Sequence, residues 1–271
     1  MLNPCDGVEK LKISTYDATR SKTFDPTDLV KIANCDYEHQ EGFPLKLFAM
    51  FLAETGARKG EALHMEWDDF SISSRIWTIK EKPGCPTKTK IGWRPKWGKE
   101  RRIYLSDTAL KILESIPKEK SVGHVIIGKR TDPRGRVLNK KQAIPANFIF
   151  TVRDEETGLR RRVDDIKRAW HSLLRTAGVG ECGFDAFVLH DFRRYKNVIS
   201  EYVHNMNLQD RSQQLGNSER INARHYSGEV GDGLVQFQGQ IQSLTSKNLE
   251  LEAKLKMLQN ENNQLKNQRV S

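Results

Sequence analysis

At 271 residues with 37% hydrophobic side chains, the chain can pack one large domain or two smaller ones around an apolar core. Lys and Arg number 45 against 35 Asp and Glu, and this surplus of +10 suits a polyanionic partner, because clustered cations release counterions from nucleic acid. No apolar run approaches the roughly 18–20 residues of a membrane-spanning helix, and MLNPCDGVEKLKIS lacks the apolar centre of a signal peptide, so no membrane partner is expected and the expected location is the cytoplasm, on the nucleoid, or the nucleus of a eukaryotic host.

In chain order, residues 1–21 carry few apolar anchors and read as a tail or linker. FDPTDLVKIANC predicts a helix capped by Asp25 or Thr27, with Leu29, Ile32 and Ala33 as its apolar stripe. The most apolar helical stretch, FPLKLFAMFLAETGARKGEALHMEW, predicts a buried helix, a break near Gly56 and a second helix start. RIWTIKEK and ERRIYLS alternate apolar and polar residues and predict two strands, joined as a hairpin by a long basic turn rich in Lys, Gly, Pro and Trp. SDTALKILESI restarts a helix with Ser106 or Asp107 as its cap. VGHVIIGK suggests one more short strand. VDDIKRAWHSLLRTAGV and VLHDFRRYKNVISEYVHNM return to a helical pattern, the latter with Phe192, Val198 and Ile199 facing inward. The expected fold is mainly α with a small antiparallel β-sheet, an α+β domain over residues 22–228.

The last forty residues change character. Leu234, Ile241, Asn248, Leu255 and Asn262 recur every seven positions, as do Phe237, Leu244, Leu251, Leu258 and Leu265. This a/d series predicts a coiled-coil helix over 234–271, and Asn at two a positions favours two parallel strands. Gly228, and Gly231 and Gly233 within a linker at 229–233, would let this arm swing relative to the body. The cysteines, Cys5, Cys35, Cys85 and Cys182, form no CxxC pair and no zinc-ligand spacing, so four unrelated reduced thiols are expected, with neither metal nor cofactor.

Three short stretches carry candidate chemistry. TGARKGEAL places Arg58 and Glu61 one helical turn apart, and HDFRR places His190 and Arg193 likewise. Each pair alone reads as a solvated surface pair. LGNSERINARHY holds Asn217 and a lone Tyr226 among small and polar residues, without the apolar neighbours at helical spacing that a core tyrosine would have.

Taken in order, these stretches resemble the tyrosine recombinase (phage integrase) family. TGARKGEALHMEWDDF is similar to the family's TGLR-x-x-E-L…L-x-W-x-D pattern, HDFRR to its His-x-x-Arg box, and LGNSERINARHY to its LGH box followed by the nucleophilic tyrosine. Here Asn217 precedes Tyr226 by nine positions and Arg193 by thirty-three, as the family pattern has it. The resemblance spans roughly 22–228 and implies a catalytic set of Arg58, Lys96, His190, Arg193, Asn217 and Tyr226. The family's hairpin lysine falls on Lys96 in the register of PKWGKERRIYL, with Lys82 and Lys99 as alternatives. Asn217 departs from the usual histidine and can only hydrogen-bond. A second departure is at the N-terminus, where the family usually carries a helical DNA-clamping domain; weaker and less selective DNA binding is the expectation for this chain.

Residue types explain what such a set could do. A phosphodiester attacked by a phenolic oxygen passes through a crowded, doubly charged state, and the planar forks of Arg58 and Arg193 can each clamp its non-bridging oxygens. A phenol with pKa near 10 needs a proton acceptor at neutral pH, the place of His190. A lysine would protonate the leaving 5′-oxygen, and Asn217 would donate to a phosphate oxygen. The basic turn, with Lys82, Lys88, Lys90, Arg94, Lys99 and Arg101 and the interleaved Trp93 and Trp97, is the candidate for contact with double-stranded DNA. The implied activity is site-specific recombination through a 3′-phosphotyrosine link, in integration or excision of a mobile element or virus. A homodimer through 234–271 and a tetramer on DNA would be the assemblies. A type IB topoisomerase-like nicking and sealing enzyme, or a non-catalytic architectural DNA-binding protein on the same fold, are the alternatives.

Overall fold

The computed structural model describes residues 23–133, 135–154, 158–180 and 187–225. The tail at 1–21, Tyr226, the linker at 229–233, the heptad series at 234–271, Cys5 and Cys182 lie outside them. Asp25 starts helix α1 (Pro26–Asn34) by accepting the Thr27 N–H at 2.8 Å, while Asp28 reaches back to the Asp25 N–H at 3.2 Å. Of the two caps the sequence allowed, Asp25 is the one used. Ile32 is buried, whereas Ala33 faces solvent, so the apolar stripe is narrower than expected.

Helix α2 (Leu45–Thr55) is the hub of the core. Phe48, Phe51 and Leu52 are fully buried, and the helix packs against α4 (Asp107–Glu114) and α6 (Asp191–Tyr202). Its all-round hydrophobicity fits burial on several faces at once. Helix α3 (Lys59–Leu63) follows the break at Gly56. Ser106 caps α4 by accepting the Ala109 N–H at 3.2 Å. Helix α5 (Lys167–Ala177) sends Trp170 inward, where its indole N–H donates to the Phe187 carbonyl at 2.8 Å. Phe24 stacks between Phe187 and Phe192, with ring centroids 4.2 and 4.4 Å away. Phe192, Val198 and Ile199 of α6 face inward, as their spacing predicts. Helices α7 (Leu208–Leu215) and α8 (Glu219–His225) end the described chain.

The β-structure is more extensive than one small sheet. Strands β1 (Phe70–Ser71), β2 (Ile76–Ile79) and β5 (Arg101–Tyr104) form an antiparallel sheet in that order, so the two predicted strands do pair. The basic excursion between β2 and β5 folds into a ribbon of its own, β3 (Lys82–Pro86) against β4 (Ile91–Trp93). VGHVIIGK belongs to an eleven-residue strand, β6 (Ser121–Thr131), whose hairpin partner β7 (Val137–Ala146) has no counterpart in the sequence reading. The short strands β8 (Thr151–Arg153) and β9 (Arg160–Arg162) complete a four-stranded sheet ordered β7-β6-β9-β8, in which β6 and β9 run parallel. The expected purely antiparallel sheet is therefore corrected to three sheets, one of them mixed. β7 escaped notice because it is exposed almost throughout and lacks apolar alternation.

Candidate active site

Two helix ends build the floor of the site. Helix α2 ends at Gly56 and α7 at Gly216, both in the left-handed conformation at φ 62° and 66°. A side chain at either position would collide with packed neighbours, since a Cβ on Gly56 would lie 2.6 Å from Leu215 Cδ2 and one on Gly216 would lie 2.7 Å from Arg101 Cδ. These caps turn the last carbonyls of both helices toward one point, and Arg193 occupies it. Its Nη1 donates to the Gly56 carbonyl at 2.8 Å, and its Nη2 donates to the Leu215 carbonyl. Arg193 is 0% exposed. Two helix C-termini, each carrying roughly half a negative charge, offset the desolvation of that guanidinium.

Asn217 joins this centre to Arg58. Its N–H donates to the Ser212 carbonyl at 2.9 Å, a bond that closes the end of α7 and fixes where the side chain begins. Its Oδ1 accepts from Arg193 Nη2 at 3.0 Å and from Arg58 Nη2 at 3.1 Å. Guanidiniums only donate, so the amide must present its oxygen to them. The Nδ2 amide is then left as a donor with no partner among the described residues.

Glu61 holds Arg58 from the other side. Its carboxylate accepts the Arg58 backbone N–H at 2.8 Å and Arg58 Nη1 at 3.0 Å. It also accepts both terminal nitrogens of Arg101, at 2.8 and 2.5 Å. Burial alone would raise the Glu61 pKa, but the hydrogen bonds and charge of Arg101, and then of Arg58, bring it down to about 2. This pair does not behave as a solvated surface pair, because Glu61 is 3% exposed.

His190 precedes α6 as its N-cap residue, and its carbonyl accepts the Arg193 N–H at 3.1 Å. Crowding of the ring pushes its pKa down to about 4, helped by the fields of Arg193, Arg58, Arg194 and Lys96. The residue is nevertheless exposed to solvent. Lys96 follows β4 on an exposed turn, Lys96–Gly98. Arg58, Lys96, His190 with Arg193, and Asn217 are therefore brought together from four separate parts of the chain. A hollow of about 970 Å³ opens beside them, lined by Arg58, Asn217 and Ser218 with Lys99 and Arg102. Tyr226 itself lies outside the described residues; α8 carries the chain to His225, the residue before it.

The basic excursion divides into two groups. Lys88, Lys90, Arg94 and Lys99 are exposed. Lys82 and Arg101 are not available to a partner, which corrects the expectation for both and removes Lys82 as an alternative to Lys96. The ammonium of Lys82 is held by the Asp69 carboxylate, the His64 carbonyl and, at 3.2 Å, Glu66, and its side chain is only 9% exposed. Arg101 spends its fork on Glu61 and donates from Nε to the Gln214 carbonyl at 3.3 Å. Each is a cation drawn to a buried carboxylate, a demand invisible to local sequence. Trp93 also turns inward and stacks on His64, with ring centroids 5.3 Å apart. The sequence reading missed the bracing role of Arg101; the one signal for it was a glutamate one turn after Arg58, too acidic a neighbour to bury unpaired.

The model of the phage integrase family matches residues 22–201. Among solved structures, XerA recombinase is 15% identical, with a TM-score of 0.50, covering 81% of this chain and 64% of its own. The Tn1549 transposon integrase, solved in complex with circular intermediate DNA, is 14% identical, with a TM-score of 0.53, covering 83% of this chain and 68% of its own. The chain thus spans about two thirds of these structures, and at such identities the likeness is one of fold. No curated protein matches it. With more than half of its length matched, and with the arginines of TGAR and HDFRR meeting at the ends of two helices, the chain belongs to the phage integrase family.

Proposed function

We propose that this protein is a site-specific DNA strand transferase that cuts and rejoins duplex DNA through a 3′-phosphotyrosine link at Tyr226. The observation that carries the reading is the meeting of Arg58 and Arg193 on a single oxygen of Asn217, 3.1 and 3.0 Å away, with His190 and Lys96 alongside. Two guanidiniums held together without neutralising each other form a site prepared for an anion. A phosphodiester would accept from Arg58 and from Asn217 Nδ2, while Arg193, enclosed and bonded to the Gly56 and Leu215 carbonyls, would add its positive charge from behind.

The reaction balances with these groups. The Tyr226 oxygen attacks phosphorus, its proton passes to neutral His190, the P–O5′ bond breaks, and the leaving oxygen takes a proton from Lys96. Resealing reverses each step with a 5′-hydroxyl as the nucleophile. Of two solved structures of similar fold, one is a recombinase by name and the other a transposon integrase that holds DNA, in line with double-stranded DNA as the substrate. The heptad series at 234–271 would pair two copies on that DNA. The exposed Lys88, Lys90, Arg94 and Lys99 would supply phosphate contacts, and integration or excision of a mobile element or virus is the role this reading proposes.

The test is adduct trapping on a nicked suicide duplex carrying the cognate site. Wild type should give a covalent protein–DNA species, and Tyr226→Phe should give none. An undiminished adduct in Tyr226→Phe would show that another group is the nucleophile. No adduct with wild type would favour an architectural DNA-binding role.

A further inference from the structure

The hairpin of β6 and β7 is rooted on the basic excursion between β2 and β5 and then runs out into solvent. At its root, Gly123 packs so closely on Pro86 of β3 that a Cβ there would lie 2.3 Å from Pro86 Cγ. The Ile126 N–H donates to the Lys88 carbonyl at 3.0 Å, which ties β6 to the same excursion that carries Lys96. Val125 is buried, and Ile127, Gly128 and Lys129 after it are exposed. β9 pairs with Ser121 and Val122 of β6, and beyond Ile126 the two strands pair with each other alone among the described residues. The free length from Ile127 to Thr131 is roughly 17 Å at about 3.3 Å per residue.

Its charge is one-sided and its geometry is two-sided. Residues 127–143 hold six Lys and Arg against a single carboxylate, Asp132, which bonds Arg136 at the tip. The register sets Lys129 opposite Asn139 and Gly128 opposite Lys140. Because neighbours along a strand face opposite ways, Lys129 and Lys141 lie on one face and Lys140 on the other. Each of these three lysines is exposed. A strip meant to lie flat on an anionic surface would carry its cations on one face. A strip cationic on both faces fits between two rows of phosphates, and a major groove about 12 Å wide and 8.5 Å deep admits a two-stranded ribbon.

We propose that the β6–β7 ribbon is a second DNA-contacting element that enters the major groove of duplex DNA next to the cleavage site, with Lys129 and Lys141 reaching the phosphates of one strand and Lys140 those of the other. This rests on the strand-transferase reading only for the identity of the cleaved duplex. The exposed Val137 and Leu138 would meet base edges and thymine methyl groups, which have no charge to offer.

The full chain and its Lys129→Ala/Lys140→Ala/Lys141→Ala variant are titrated with a mixed-sequence duplex at several salt concentrations, followed by fluorescence anisotropy. The same titration is run on a duplex whose cytosines carry glucosylated 5-hydroxymethyl groups, which fill the major groove. The variant should lose about 2–3 from the slope of log affinity against log salt, about 0.9 per phosphate contact. Wild type should fall to the variant's affinity on the glucosylated duplex. An unchanged slope overturns the proposal and leaves the lysines as guards of an exposed sheet edge. A reduced slope with no effect of glucosylation overturns groove entry in favour of contact along the backbone. Wild type that binds mixed-sequence duplex yet traps no adduct sinks the strand-transferase reading and leaves the ribbon standing; wild type that binds no duplex sinks both.

Discussion

Asn217 places one oxygen between two guanidiniums that would otherwise repel each other. The histidine common in the family would bring a ring nitrogen in place of that oxygen, and with it a second titratable group. The asparagine keeps the clamp and gives up the titration. Removing the acceptor should let Arg58 and Arg193 splay apart and should also take away the Nδ2 donor. Asn217→Ala is therefore expected to slow adduct formation on the order of tenfold to a hundredfold, the worth of one or two hydrogen bonds to charged groups. Single-turnover kinetics on the suicide duplex would measure it, and a rate within twofold of wild type would remove Asn217 from the machinery. Arg101 acts at one remove. It neutralises Glu61 and braces the end of α7, so that Arg58 and Asn217 are held from behind.

At the scale of elements, the ends of α2 and α7 matter more than their lengths. Gly56 satisfies a left-handed cap and a close approach to Leu215 at once. Gly56→Ala should cost roughly 2–4 kcal/mol, from backbone strain together with a side chain forced against α7. It should also lower adduct formation more than stability alone explains, because Arg193 binds a carbonyl from each helix end. Gly60→Ala, where an added Cβ meets nothing within 4 Å, is the control and should be neutral or slightly stabilising. Denaturant unfolding of both variants separates the cases; equal losses at the two glycines would refute the packing argument. Most helices were legible here, since α2 and α6 bury the residues their spacing marks and α4 starts at a predicted cap. The ribbon β6–β7 was not, because an exposed hairpin needs no apolar face to write its period into the sequence.

For the molecule as a whole, acid is the telling perturbation. His64 is pushed down to about 3 by burial and by the charges of Arg162 and Lys82, and His190 to about 4. Each folded-state value lies below the ordinary 6.5, so the unfolded chain binds more protons in between, and stability present above about 6.5 is lost as pH falls toward 4 and then 3. Glu61 adds a loss between about 4.5 and 2. The melting temperature should hold near neutrality and decline steadily from pH 6.5 to 4. His64→Phe, which keeps the stack on Trp93 without a titrating ring, should decline less steeply. Scanning calorimetry across that range checks both, and a melting temperature independent of pH would contradict the lowered titrations of His64 and His190.

The sequence by itself determined the helical periods, the strand pair β2 and β5, the order and spacing of the arginine, histidine and asparagine boxes, and through them the family. Local patterns suffice for these, because apolar spacing, caps and glycine breaks act over a few residues. Tertiary structure alone decided which cations face outward. Lys82 and Arg101 look like Lys88 and Lys90 in the sequence, yet buried carboxylates from distant segments claim the first two and leave the others to solvent. A charge goes to whichever partner spares it the greatest desolvation, and that partner is chosen by the packing of the whole chain.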